Sequence, residues 1–242
     1  MPIVKVNVQR CENGNPNAVS NERHEIEVAN RASILDVLFA LQRGAMPDLA
    51  FRFSCRVGMC GSCAMVVNGR EQLTCSTLAS AVGPELTIQP LRNLPVVRDL
   101  AVNMQPFFDA YKRSQPNFVL RSDLDPSDFY VIPHQSREWK RWNHQPQCID
   151  CGACYSACAL VTLRPNYLGP MALHRALTLL ADPRDANHDE RLRTVGGESG
   201  ALRCHTLGNC RDVCPRGISP TQSIQRLKRM SVWEWLRGLF VR

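Results

Sequence analysis

Apolar and polar residues alternate from Ile3 to Val8 and again from His24 to Val28, the period of a half-buried strand. The period then changes. Ser33 precedes Ile34, Leu35, Val37, Leu38 and Leu41, with Gly44 behind them, which reads as an N-cap, an apolar helical face and a glycine stop. Ala64–Val67 and Glu71–Thr74 flank Asn68-Gly69, a type I′ hairpin signal, and Leu86–Ile88 forms a last short strand. Strands around one helix in so short a stretch predict a compact α+β domain. Pro84, Pro90, Pro95 and Pro106 punctuate a connector, and beyond it the pattern is helical. Helices are expected over Pro106–Lys112, Gln135–Trp142, Pro170–Leu180 and Pro220–Met230, and Trp233–Val241 is either an amphipathic helix or a frayed end. The division expected is 1–105 for the sheet domain and 106–242 for the helical one.

Composition narrows the class. The chain has 242 residues, 44% of them apolar and 21% charged, as in globular proteins with a real core. No apolar run reaches the length of a membrane span. The opening MPIVKVNVQR has neither a signal core nor a transit composition, so a cytoplasmic chain is expected. Secreted, membrane-spanning and disordered classes are thereby disfavoured. The net charge of +7 gathers in the second half, and Arg226–Arg242 holds five bases against one acid. No basic stripe interleaved with aromatics or nucleic-acid module accompanies it, so a solvated face or a partner surface is expected rather than nucleic acid.

Twelve cysteines in such a chain change the picture most. Disulfides are rare in reducing compartments, so grouped thiols there point to metal or redox chemistry. Cys55, Cys60 and Cys63 form C-x4-C-x2-C with Cys75 beyond the hairpin, the plant-type [2Fe–2S] spacing. Gly58 and Gly61 let backbone amides approach the sulfurs, and Arg52 and Arg56 offset thiolate charge. Structural zinc favours two short Cys pairs instead, which makes a zinc-stapled scaffold the weaker reading. Cys148, Cys151, Cys154 and Cys158 form C-x2-C-x2-C-x3-C, the bacterial ferredoxin run, whose fourth Cys serves the other cluster in two-cluster proteins. Cys204, Cys210 and Cys214-Pro215 resemble the same run with Leu207 where its second Cys would stand. Crossing the two runs assigns Cys148, Cys151, Cys154 and Cys214 to one cluster. Cys158, Cys204 and Cys210 remain for another, three thiolates with no fourth. Cys11 stands apart as a strand thiol.

The order RFSCRVGMCGSC, LTC, NLPVVRDL, CIDCGACYSAC, NYLGPMAL and CHTLGNCRDVCPRGISPTQSI resembles the iron–sulfur subunit of succinate dehydrogenase and fumarate reductase over nearly the whole chain. The resemblance implies a plant-type ferredoxin (β-grasp) domain followed by a helical bacterial-ferredoxin-like domain. It implies [2Fe–2S], [4Fe–4S] and [3Fe–4S] clusters, in line with the crossed ligand sets. The partners implied are a flavoprotein subunit that holds FAD and the dicarboxylate site, and membrane anchor subunits, with or without haem b, that bind quinone. The chain would then sit at the cytoplasmic face of the inner membrane through those partners and carry electrons in respiration and the tricarboxylic acid cycle. It would hold no dicarboxylate site and no catalytic residue of its own.

Direction is read from fewer residues. His205 after Cys204 resembles the succinate dehydrogenase branch, where the matching His lies near the quinone, and Lys228 matches a basic residue placed there. The family's ubiquinone enzymes carry Pro, Ser and Trp after the fourth Cys of the helical run. Here the stretch is Ala159-Leu160-Val161-Thr162-Leu163, which leaves menaquinone or an unusual anchor open. The alternatives are a fumarate reductase running with menaquinol and a free-standing multi-cluster ferredoxin-like carrier. The near-neutral first half and basic second half argue mildly against the free carrier.

Overall fold

The computed structural model describes residues 2–12, 14–15, 18–143 and 145–240. The chain divides into two compact units: residues 1–106 with 149–157, and residues 107–148 with 158–242.

In the first unit, β1 (Ile3–Cys11) and β2 (Val19–Glu27) form an antiparallel pair, with Val4, Val6, Val8 and Cys11 of β1 buried. The helix α1 (Ile34–Arg43) starts where expected, because Ser33 Oγ accepts from Asp36 N and the Asp36 carboxylate accepts from Ser33 N, a reciprocal cap. Its apolar face, Ile34, Val37, Leu38 and Leu41, packs on Val6, Val8, Met65, Val67 and Ile88 to make the core. The strands β3 (Ala64–Val67) and β4 (Arg70–Leu73) turn tightly at Asn68 and Gly69, whose φ of 48° and 80° meet the type I′ requirement. A short α2 (Ala79–Val82) leads to β5 (Glu85–Gln89), which runs parallel to β1 and antiparallel to β3. The sheet order is β2-β1-β5-β3-β4, and a separate two-stranded pair joins β6 (Val96–Arg98) to β7 (Ala101–Val102).

Beyond α3 (Gln105–Arg113) and α4 (Arg137–Trp142) the second unit is helical. The short α5 (Ala153–Ser156) lies within the second cysteine group and belongs to the first unit, and α6 (Ala159–Leu163) follows that group in the second. Three longer ones, α7 (Gly169–Leu180), α8 (His188–Gly196) and the last helix, pack on one another around Leu173, Ala176, Leu192, Val195, Ile224 and Leu227. Between α8 and that helix lies α9 (Asn209–Asp212). The last helix, α10, runs unbroken from Pro220 to Phe240, so the expected stop near Met230 is absent and the Trp233 segment continues it. Val241 lies outside the described residues. Among the described residues no helix is long and apolar enough to cross a membrane.

The division departs from the expected one at Pro106, which joins the first unit, and over a segment of the second cysteine group. The sequence reading put residues 149–157 in the helical domain, whereas the structure gives them to the first unit. The reason is a buried polar lock: Ser156 Oγ donates to Glu71 at 2.8 Å and accepts from Arg92 N at 2.8 Å. Asn93 Nδ2 adds bonds to the carbonyls of Tyr155 and Ser156, both at 3.0 Å. Glu71 and Ser156 are nearly sealed from water, so neither can lose its partner cheaply.

Candidate metal centres

The first centre is a loop shaped by what precedes it. Phe39 meets Phe51 and Phe53 edge-on, Phe51 and Phe53 are tilted against each other, and the Arg56 guanidinium lies over Phe39 and Phe53 at 5.1 and 5.2 Å. The loop then curls through positive φ at Arg56, Gly58 and Gly61, which turns its amides inward. Gly58 N donates to Cys75 Sγ at 3.2 Å, and Met59 N and Cys60 N donate to Cys55 Sγ at 3.2 and 3.3 Å. Thr74, beside Cys75, is tied through N and Oγ1 to the Cys63 carbonyl, so the hairpin's return strand is fastened to the loop. The Cys55 backbone N–H and the Ser62 hydroxyl and N–H hold the Cys60 thiol down to about 6, which makes it a thiolate at neutral pH. Burial and the neighbouring Cys63 push the Cys75 thiol up to about 11. Four sulfurs crowding one another under directed N–H groups suit a bound iron centre that neutralises them.

The next run meets this loop directly. A Cβ on Gly61 would stand 2.7 Å from Cys151 Cβ and 2.8 Å from Cys151 Cα, so only glycine permits the approach. Cys151 and Cys154 flank the turn into α5 within the first unit, and both are half-buried.

Cys148–Cys158 and Cys204–Cys214 share one backbone plan. Two residues after the leading Cys, Asp150 and Thr206 have φ of 52° and 63°. Four residues after it, Gly152 and Gly208 have φ of 78° and 89° and cap α5 and α9. Leu207 therefore occupies the backbone position that Cys151 holds in the first run. It is 63% exposed in this chain.

Cys158, Cys204 and Cys210 come together in the second unit. All three lie close enough to act on the Tyr167 hydroxyl, whose acidity is suppressed first by burial and then by these sulfurs. Burial pushes the thiols of Cys158 and Cys210 up, and a 3.2 Å contact with Thr221 Oγ1 opposes this at Cys210. Thr206 N donates to Cys204 Sγ at 3.4 Å. The Tyr167 oxygen is buried and finds no hydrogen-bond partner, although it leans toward the Cys204 sulfur. Three sulfurs around an orphaned donor fit an anionic group that is wider than one ion. Among the described residues, no three His, Cys, Asp or Glu side chains are placed to hold a single metal ion.

Of the residues expected near quinone, His205 is exposed and Lys228 Nζ donates to the Cys204 carbonyl at 2.6 Å. Cys11 is buried at the end of β1, its Sγ 3.4 Å from the Asn15 carbonyl. Tyr167, Thr221 and the Glu71–Ser156 lock were not legible beforehand, because each matters only through partners distant in sequence.

Comparison with known proteins agrees with this geometry. Residues 5–109 match the family described as 2Fe-2S iron-sulfur cluster binding domain, and residues 145–218 match the 4Fe-4S dicluster domain. The chain is 36% identical to the mitochondrial succinate dehydrogenase [ubiquinone] iron-sulfur subunit 1 of Oryza sativa subsp. japonica, over 82% of this chain and 71% of that protein. It is 30% identical to the fumarate reductase iron-sulfur subunit of Haemophilus influenzae, over 97% and 95%. A chain of the Mycobacterium smegmatis Sdh1 complex in the apo form superposes with a TM-score of 0.86 at 29% identity, covering 96% of this chain and 97% of that one. The sheet domain, the helical dicluster domain and these relatives lead to one conclusion: the chain belongs to the succinate dehydrogenase/fumarate reductase family, as its electron-transferring iron–sulfur subunit.

Proposed function

We propose that this subunit carries electrons between a FAD-containing flavoprotein and a quinone held by a membrane anchor, in the direction of succinate oxidation. Cys55, Cys60, Cys63 and Cys75 hold a [2Fe–2S] cluster. Cys148, Cys151, Cys154 and Cys214 hold a [4Fe–4S] cluster, and Cys158, Cys204 and Cys210 a [3Fe–4S] cluster. Bound clusters of these kinds would supply one-electron redox chemistry. The chain's own part is to hold and insulate. Its thiolates ligate, the N–H groups of Gly58, Met59 and Cys60 spread the charge of the sulfurs, and the burial of Cys63 and Cys210 keeps water off.

The observation that carries the reading is the Cys204 segment. Its sulfur joins Cys158 and Cys210 around a buried tyrosine, while the next side chain, His205, is exposed to whatever docks there. Lys228 fixes the carbonyl between them. Large apolar side chains are exposed in this same unit, Trp233 and Trp235 at 66% each, as a surface meeting an apolar partner would have. The rice relative's name specifies ubiquinone. One observation favours the reverse direction with menaquinol: the apolar Ala159–Leu163 helix stands where ubiquinone enzymes carry Pro, Ser and Trp.

Purification in mild detergent tests the partners and the direction together. A flavoprotein and small apolar subunits should accompany the chain, and succinate-dependent quinone reduction should outrun quinol-dependent fumarate reduction. A chain that purifies alone contradicts the partners, and faster fumarate reduction contradicts the direction.

A further inference from the structure

Tyr167 fills the turn between α6 and α7, where its N–H donates to the Arg164 carbonyl at 2.9 Å. The next residue, Leu168, donates to the Ser199 carbonyl at 2.9 Å, so the turn is anchored on both sides. The ring is 2% exposed. A phenyl ring would fill this space equally well. The hydroxyl is the only polar atom of the side chain, and it is buried without an acceptor.

A buried hydroxyl without a partner is unfavourable unless something outside the polypeptide completes it. The groups that act on it narrow the choice: the sulfurs of Cys204, Cys158 and Cys210. An O–H without a partner, set near three cysteine sulfurs, is a donor in search of an acceptor.

We infer that Tyr167 is a tuning residue: its hydroxyl donates a hydrogen bond to sulfur of the centre held by Cys158, Cys204 and Cys210, and thereby raises that centre's reduction potential. The inference rests on the three-iron ligand set proposed above. Its physical basis is that reduction adds one electron and no proton, so the reduced form carries more negative charge on sulfur. A fixed O–H donor stabilises that form more than the oxidised one. Tyr167 neither gives up its proton nor changes redox state in the step.

The experiment is an EPR-monitored redox titration of the three-iron signal in the intact detergent-purified complex, comparing the unmutated protein with Tyr167→Phe. The expected result is an undiminished signal whose reduction equilibrium constant falls about tenfold, a downward shift of about 59 mV for one electron. A second variant guards against loss of the centre in the phenylalanine protein. Site-specific 3-fluorotyrosine at position 167 is a stronger donor and should move the midpoint upward. A midpoint that stays put in either variant with the signal intact overturns the role of Tyr167 alone. Absence of any three-iron signal from the unmutated complex fails the ligand set itself, and the inference with it.

Discussion

Sulfur accepts hydrogen bonds weakly, so amides aimed at thiolates are informative where a single contact would not be. Gly58, Met59 and Cys60 supply three such amides in successive residues to the sulfurs of Cys75 and Cys55, and the Cys55 amide together with Ser62 holds the Cys60 thiol down to about 6. Leu207 shows the opposite case, a ligand position without a ligand. It shares with Cys151 a backbone plan set by left-handed residues on either side, so the position is built but carries no lone pair. Leu207→Cys is therefore expected to capture a fourth iron, convert the three-iron centre to [4Fe–4S] and lower its potential. Loss of the oxidised three-iron EPR signal, with a new signal in the reduced protein, would establish this. An unchanged signal with a free thiol at 207 would show that this residue does not face the open corner.

At the scale of elements, local chemistry wrote some boundaries plainly. Ser33 with Asp36 starts α1, and Asn68-Gly69 turns β3 into β4, because each device works through neighbours a few residues apart. By contrast α8 was not legible. Its sequence HDERLRTVG has no apolar stripe, and its firmest anchor is a buried charge. Arg191 is fully buried, pairs with Asp185 and donates to the carbonyls of Gln115, Asn117 and Asn187, partners that no periodicity reveals. Arg191→Ala would leave Asp185 buried and unpaired, and should destabilise the second unit by about 3–5 kcal/mol in denaturant unfolding. A loss under about 1 kcal/mol would mean the pair is dispensable. The placement of residues 149–157 was equally hidden, since it depends on Glu71 and Arg92, more than sixty residues away. Gly61 and Gly58 separate the consequences. A methyl at Gly61 collides with Cys151, whereas one at Gly58 meets only Ser76, at 3.4 Å. Gly61→Ala should thus diminish the EPR signals of both the [2Fe–2S] and [4Fe–4S] centres, and Gly58→Ala only the first. The same pattern in both variants would contradict the contact's role.

For the whole molecule, the cysteine order was the most legible feature, because ligand spacing is a local property even when the ligands come from distant segments. The surroundings of the cysteines were not legible, since Thr221 reaches the Cys210 sulfur, and Tyr167 the neighbourhood of Cys158, Cys204 and Cys210, only through the fold. Under the proposed function, exposed His205 would lie where electrons pass to quinone. His205→Ala should depress quinone reduction by roughly tenfold, the order expected for loss of one charge-assisted contact, and leave reduction of an artificial acceptor at the flavin intact. Equal loss in both assays would point to misfolding, and no loss in either would remove His205 from the path.

The central claim is that eleven of the twelve cysteines divide into one four-thiolate [2Fe–2S] site, one [4Fe–4S] site and one three-thiolate site. EPR of the anaerobically purified complex, oxidised and then stepwise reduced, measures this most directly. The account predicts three separate signals: a three-iron signal in the oxidised protein, and two further signals on reduction. Two four-iron centres would contradict the crossing of Cys158 and Cys214, and a colourless protein with zinc and no labile sulfide would contradict the whole assignment.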